Sequence, residues 1–464
     1  MLTAPQKAFT RAAWLGELRA TLKLASPLVL SNLAQSALST TDVIVLGRLG
    51  ADALAAGVLG VNLYFALLIF AIGLVGASSP MMAAAVGRQQ QVMRDVRRTF
   101  RVGLWSAAII SGPCWVLLWH TETILLWFHE EPSLAAAAQS LVRGMQWGLF
   151  PALGFIALRS FVAALGRPVW VTIATVVTVL FNIAANWALV FGHLGLPALG
   201  IRGSGIATTL SNTFLFASLA LVVVADRRFR RYRLFGNWWR SDWPRLATLW
   251  RLGVPMGATM AFEVTTFNAA AFLMGQFGST ALAAHSIALQ IAVLTFMVPA
   301  GLGQAVTVRV GIAYGAGDRD GVTRAGWTAF GLAIAFMATM SSVMMTAPRL
   351  LIGAFVDVDD PANAAVVATA VPFLLCAAVF QVADGAQATG AGMLRGLQDA
   401  RVPMLYAAFG YWGVGMSLGV LFAFAAGLGG LGIWIGLAVA LVVVACAMIR
   451  RFVRRERLGL VPPA

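Results

Sequence analysis

Lys23-Leu-Ala-Ser-Pro27 opens a run that stays apolar as far as Leu46, and Arg251-Leu-Gly-Val-Pro255 opens another of the same kind 228 residues later. A run of that length crosses about 30 Å of hydrocarbon as a helix of about 20 residues. Val171–Val190 and Met404–Ala426 read the same way. About twelve spans can be drawn by this criterion: residues 24–46, 57–81, 102–120, 136–157, 170–191, 205–225, 252–274, 284–307, 326–347, 366–391, 404–426 and 431–449. Composition agrees, because the 464 residues are 60% hydrophobic and only 11% charged, against about 25% charged in soluble domains. The short alternating segments of a closed barrel are missing. The fold class expected is all-α and integral to the membrane. Leu24 onward is too long for a signal-peptide core and reads as a retained first span.

The two opening runs belong to an internal duplication. Carried forward without a gap, the offset of 228 pairs Gly47 with Gly275, Gly50 with Gly278, and Ala53-Leu-Ala-Ala56 with Ala281-Leu-Ala-Ala284. It also pairs Gly73 with Gly301 and Gly87 with Gly315, and Leu199-Gly-Ile201 matches Leu431-Gly-Ile433 at 232. Six spans per half is an even number, so both halves enter the membrane in the same orientation, as parallel repeats with a site expected between them near the midplane. The organisation expected is a cytoplasmic segment 1–23, a six-helix lobe 24–225, a linker 226–251, a second lobe 252–449 and a tail 450–464.

The net charge is +15 and the isoelectric point lies near 11.2. In a soluble chain this would suggest nucleic acid, but the basic residues fall in alternate loops. Twenty-nine lie on one side, eight of them in Arg227–Arg251, and only Arg48, Arg202 and Arg349 on the other, with Arg143 inside the fourth span. That asymmetry is the positive-inside pattern and predicts cytoplasmic termini. It implies contact with anionic headgroups rather than nucleic acid. Cys114, Cys376 and Cys446 are far apart and inside spans, a spacing that suggests packing rather than a metal site or a disulfide. No cofactor is expected.

Against this background the residues that stand out are Asp42, Glu263 and Asp384, three carboxylates inside apolar spans. Placing an ionised carboxylate in hydrocarbon costs roughly 2.5–3.5 kcal/mol on insertion scales, so a chain that keeps three is expected to use them for a proton, an ion or a cation. Glu263 sits halfway along Met260-Ala-Phe-Glu-Val-Thr-Thr-Phe-Asn268, and its repeat mate is Gln35. Gln381, Asp384 and Gln387 fall at i, i+3 and i+6 in Val379-Phe-Gln-Val-Ala-Asp-Gly-Ala-Gln387, a polar stripe that must face protein or water. Asn182 and Asn186 put two amides on one helix face, with interhelical hydrogen bonding as their first reading and substrate contact as the second. Gln35, Asn182 and Asn186 in the first half are expected to line a substrate cavity with Phe267, Gln290, Phe380, Gln381 and Gln387 in the second. Asp357, Asp359 and Asp360 form an outer acidic loop that steers cations or is simply a solvated turn. Desolvation brings a carboxyl's proton equilibrium toward physiological pH, and a nearby cation opposes this, so a proton or Na⁺ and a cationic drug can compete for one acid.

Several of these pieces together resemble the MATE (multidrug and toxic compound extrusion) transporters: the Pro27 and Pro255 segments, Asp42 before Gly47-Arg-Leu-Gly50, Asn182-Ile-Ala-Ala-Asn-Trp187, Ala283-Ala-His-Ser-Ile287, and Met393-Leu-Arg-Gly-Leu-Gln-Asp-Ala-Arg-Val-Pro403. The joint presence of Glu263 and Asp384 is most similar to the bacterial NorM-type branch. The resemblance implies a V-shaped pair of six-helix lobes in the bacterial inner membrane, and a monomer that exports small cationic amphipaths in exchange for inward H⁺ or Na⁺. It makes Glu263 and Asp384 the coupling carboxylates of the second lobe, with Na⁺ as one occupant, and Asp42 the acid of the first. Two positions depart from the family pattern: Phe380 stands where Na⁺-binding members often carry tyrosine, and Ser286 where many have glutamine. Hard cations need several oxygens, so the first departure favours protons. The alternative is a flippase for a lipid-linked precursor, which would call for extra spans or a strongly cationic cavity. An enzyme is not expected, since no HExxH helix or buried His/Cys metal set occurs within the spans.

Overall fold

A computed structural model describes residues 11–236, 239 and 242–461, and among these every regular element is helical. Twelve long helices follow one another: α1 Arg11–Leu49, α2 Ala51–Arg88, α3 Val92–Trp119, α4 Pro132–Ala164, α5 Val169–Phe191, α6 Gly200–Ala225, α7 Trp243–Gly275, α8 Ser279–Gly315, α9 Arg319–Thr346, α10 Pro361–Gly396, α11 Arg401–Ala425 and α12 Gly430–Val453. Eleven are long and apolar enough to cross a membrane. The remaining one, α7, has the length but carries Thr259, Glu263, Thr265, Thr266 and Asn268. Side chains such as Phe272 (76% exposed), Leu221 (68%), Leu180 (64%) and Val379 (60%) point outward, which suits a surface bathed in lipid and not one facing water. The chain is an all-helical integral membrane protein.

The duplication is visible in the turns. Gly50 ends α1 with φ +123° and Gly278 ends α7 with φ +97°, a region open to glycine at no steric cost. These are the residues paired by the 228 offset, so the same glycine-gated corner recurs in each half.

The helices form two compact units, one comprising Met1–Val29 with Ala258–Ala464 and the other Leu30–Gly257. Each boundary falls inside a helix, two residues beyond a proline: Pro27 in α1 and Pro255 in α7. The beginning of α1 therefore packs with the second-half helices, and the beginning of α7 with the first-half helices. Glycine makes both dockings possible. In the Leu30–Gly257 unit, a Cβ added to Gly73 of α2 would collide with the backbone of Gly257, and one added to Gly253 with that of Leu74. In the other unit, a Cβ on Gly301 of α8 would lie 3.0 Å from the amide nitrogen of Val29. Gly73 and Gly301 are repeat mates at the offset of 228, as are Val29 and Gly257, so one close backbone contact has been built twice. Small faces of this kind are how membrane helices gain van der Waals contact without a hydrophobic drive.

Ion pairs fasten the same two starts. Arg309 on α8 grips Glu17 on α1 in a two-pronged pair, Nε–Oε1 2.8 Å and Nη2–Oε2 2.6 Å. Arg245 on α7 reaches Asp95 on α3 at 3.0 Å and donates from Nε to Thr99 Oγ1 at 3.0 Å. Trp250 Nε1 adds a bond to Ser106 Oγ at 3.1 Å.

Gly257→Leu is expected to destabilise the protein by about 1–3 kcal/mol, the range for forcing volume into a close-packed site. Gly76→Ala is the control, since a Cβ there meets open space. Thermal unfolding in detergent, followed by size-exclusion recovery, checks the pair; equal recovery of both variants would remove the close contact as a source of stability.

Candidate coupling sites in the two units

In the Leu30–Gly257 unit, Asp42 sits on α1 opposite α5 and α6. Its Oδ1 accepts from Asn186 Nδ2 at 2.9 Å and from Asn182 Nδ2 at 3.3 Å, and its Oδ2 accepts from Thr208 Oγ1 at 3.1 Å. Asn182 and Asn186 reach one carboxylate because they are four residues apart on α5, on a single face. Asn182 also donates to Ser211 Oγ at 3.1 Å, and Asn186 to the Asn182 carbonyl at 3.1 Å. Both asparagines are completely buried, and their Oδ1 atoms have no protein partner. A buried amide oxygen with open lone pairs can take a proton donor or a cation. Gln35 lies seven residues earlier on α1 and is half-buried.

Thr208 was not among the residues picked out by sequence. Its spacing to Ser204 and Ser211 puts three hydroxyls along one side of α6, which is a usable signal only once Asp42 is known to face that helix. A threonine in an apolar span ordinarily bonds its own backbone, as Thr178 does to Ala174, and the Thr208 hydroxyl also lies 3.0 Å from the Ser204 carbonyl, so its one proton is shared between that carbonyl and Asp42.

In the other unit, Glu263 on α7 accepts from Gln387 Nε2 on α10 at 3.3 Å. Asp384 lies one turn before Gln387 on α10 and close enough for the two carboxyls to interact electrostatically. The stripe of Gln381, Asp384 and Gln387 is buried throughout, at 0%, 6% and 2% exposure. Gln381 donates to Thr295 Oγ1 at 2.6 Å and to the Ala292 carbonyl at 3.3 Å, and the Oε1 atoms of Gln381 and Gln387 are unpartnered. Arg395 on α10 and Tyr411 on α11 also lie within electrostatic reach of Glu263. Sequence reading passed over both. Tyr411 is 1% exposed with an unpartnered hydroxyl, and it sits in a stretch of i→i+5 turns spanning Ala408–Met416.

The remaining expected site residues are dispersed. Phe380 is 1% exposed and stacks on Trp434, ring centroids 5.5 Å apart, so it offers no oxygen one turn before Asp384. Phe267 is partly buried against the core, and Gln290 is exposed. Ser286 is exposed and donates back to the Leu282 carbonyl at 2.9 Å. His285 is buried and meets Trp434 edge-on at 5.4 Å. In the acidic loop, Asp357 accepts from the Asp359 amide and Asp360 from the Ala362 amide, at 3.1 and 2.9 Å; these carboxylates shape turns.

Among the described residues, none of Asp42, Glu263 and Asp384 takes part in an ion pair. Carboxylates kept in spans without a bonded cation are functional by default. The MatE family profile matches residues 27–188 and 255–421, one block in each half, each beginning at its repeat-related proline. The chain belongs to the MatE family. It is 57% identical over 450 residues to a probable multidrug resistance protein NorM of Mesorhizobium japonicum, covering 97% of this chain and 96% of that one. It is 51% identical over 441 residues to the probable NorM of Brucella suis, covering 95% and 94%. Two solved structures share the fold at low identity: the eukaryotic MATE transporter AtDTX14 (TM-score 0.85, 19% identity, 97% of this chain and 100% of that one) and the Vibrio cholerae MATE transporter VcmN (0.87, 15%, 97% and 99%). For a MatE chain, then, the two buried polar clusters lie one in each unit, and each is built around acid groups.

The Glu263–Gln387 bond gives a direct test of which atoms act together. Gln387→Leu alone and Glu263→Gln alone should each lower dye export by about tenfold or more, the scale of a lost hydrogen bond to a charged group. The double variant should export no worse than Glu263→Gln, because coupled residues are non-additive. Losses that multiply in full would show that the two side chains act separately.

Proposed function

We propose that this chain is a multidrug efflux antiporter that exports cationic amphipathic compounds in exchange for inward H⁺ or Na⁺ by alternating access. One observation carries the reading: three carboxyls inside membrane helices are held by amides and hydroxyls, or lie beside another acid, and none is spent on an ion pair. Such groups are available to a mobile cation. In the outward-open state an entering ion takes the acids and the drug leaves. In the inward-open state ion release restores the negative charge that draws in the next drug. One charge moving through the membrane potential supplies about 2.3 kcal/mol per 100 mV. Names of the relatives point the same way, since they are designated multidrug resistance proteins.

Glu263 and Asp384 are assigned as coupling carboxyls of one unit and Asp42 of the other, with Gln387 positioning Glu263 and Asn182, Asn186 and Thr208 positioning Asp42. Protons are favoured over Na⁺, because Phe380 supplies no ligand oxygen and hard cations want several. The distribution of arginines supports a topology with both termini in the cytoplasm. The membrane proposed is a bacterial inner membrane, and the acting unit a monomer. A flippase for a lipid-linked precursor would need a strongly cationic cavity, whereas these clusters hold three acids, with Arg395 the cation within electrostatic reach.

Glu263→Gln and Asp384→Asn should each lower export of an ethidium-like dye from inverted vesicles by about tenfold or more at unchanged expression, the scale of a lost interaction with a charged group; full activity in both would remove the assignment. In Na⁺-free proteoliposomes, an imposed pH gradient should by itself drive dye export, and strict dependence on Na⁺ would reverse the choice of ion.

A further inference from the structure

The segment that joins α6 to α7 is rich in arginine, and its described stretch, 226–236, is folded. Asp226 starts a short helix, Arg227–Arg230, by accepting from the Arg228 amide at 2.8 Å. Phe229, Tyr232 and Leu234 then turn inward, at 1%, 4% and 3% exposure. Phe229 and Tyr232 pack edge-on against Phe161 near the end of α4, with centroids 5.5 and 5.3 Å away, and Phe235 meets Phe100 near the start of α3 at 5.5 Å. Arg101 of α3 adds a bond from Nη2 to the Gly236 carbonyl at 3.2 Å. The segment is thus a plate fixed across the ends of α3, α4 and α6, all within the Leu30–Gly257 unit.

Its outer face is set by what is left over. Arg227, Arg228, Arg230, Arg231 and Arg233 are all exposed. The acids nearby are committed elsewhere: Asp95 to Arg245 and Arg88, and Asp242 to Arg98 at 2.6 Å. The bond from Arg98 holds the Asp242 carboxyl below the usual carboxylate range, so that acid stays ionised and paired. Among the described residues none of the five arginines has a carboxylate partner. The plate adjoins the lipid-facing surface directly, since Leu221 and Val224 on the last turns of α6 are 68% and 51% exposed. Trp239 and Trp243, each 62% exposed, lie where the chain enters α7; tryptophan at this level is a feature of membrane–water interfaces.

We infer that this plate is a binding site for the headgroups of anionic phospholipids. The arginines supply planar, permanently charged forks that match phosphodiester oxygens. The buried aromatic residues fix the backbone that carries the forks, so that binding need order only the arginine side chains, and the exposed tryptophans mark the depth at which headgroups lie. A flexible polybasic tail would attract anionic lipid diffusely, whereas a docked plate attracts it at one place on one unit. A soluble acidic protein or a nucleic acid would have no use for continuity with the apolar belt.

The test uses the full-length purified protein. Native mass spectrometry counts phosphatidylglycerol and phosphatidylcholine bound from equimolar mixed micelles. Wild type should retain phosphatidylglycerol preferentially, and replacing all five arginines by glutamine should reduce that preference by about tenfold or more, given the attraction each basic residue contributes near an anionic surface. The five-lysine variant keeps the charge but loses the forks, and should retain a preference between those of wild type and the five-glutamine variant. Dye export in phosphatidylcholine liposomes should be unchanged in both variants, which also shows that they fold. Wild-type preference should fade at about 0.5 M salt, where screening is short-ranged. An unaltered preference in the five-glutamine variant overturns the inference, as does a salt-insensitive one in wild type. Displacement of the lipid by inorganic phosphate at comparable concentration would identify a free-phosphate site and overturn the lipid assignment. Binding of RNA or an acidic protein in place of phosphatidylglycerol would overturn it in favour of a soluble partner.

Discussion

Two backbone contacts organise this protein: Gly73 against Gly257, and Gly301 against Val29. Neither would exist with a side chain on the glycine, and in a membrane there is no water-driven collapse to replace them. They commit the opening turns of α1 and α7 to one unit while the rest of each helix belongs to the other. The proline two residues before each boundary removes a backbone donor there, so the shared helices have a local weak point where the two commitments meet.

The polar clusters depend on those helices. Asp42 and Glu263 lie on the two shared helices, α1 and α7, past the boundary in each case, while their partners lie on helices wholly inside one unit. Asp42 is satisfied by three donors from α5 and α6, Glu263 by one from α10. The difference in solvation is large: the first acid is surrounded by neutral donors, the second has another acid, a guanidinium and a phenol near it. Burying polar groups without full pairing is costly, and the unpaired oxygens of Asn182, Asn186, Gln381 and Gln387 show that both clusters carry that cost.

Much of this could be read in the sequence because it rests on pattern. Span lengths, the 228 offset and the corner glycines Gly50 and Gly278 are consequences of periodicity and of one residue type's backbone freedom. The polar stripe on α10 was legible from i, i+3 spacing, and the pairing of Asn182 with Asn186 from i, i+4. Thr208 and Tyr411 were not: a threonine in an apolar span looks the same whether it bonds its own helix or a distant acid, and a single tyrosine carries no spacing signal. The exchange of helix starts was equally hidden: the boundaries after Val29 and Gly257 lie within apolar runs, and no change of composition marks them. The linker showed its arginines in sequence but not its fold, since Phe229, Tyr232 and Leu234 match neither helical nor strand periodicity.

Exchanged starts call for a feature that tells one from the other, and the charges beside them differ in sign. Position 17 and position 245 are repeat mates, yet one is Glu and the other Arg. Glu17 meets Arg309, while Arg245 meets Asp95. Both docking surfaces offer the same small-residue contact, so shape alone would let the earlier-made start occupy the berth nearest to it. Opposite polarity forbids this: in the wrong berth Glu17 would confront Asp95, and Arg245 would confront Arg309. The ion-pair partner of the first segment therefore lies on α8, 292 residues along the chain from Glu17.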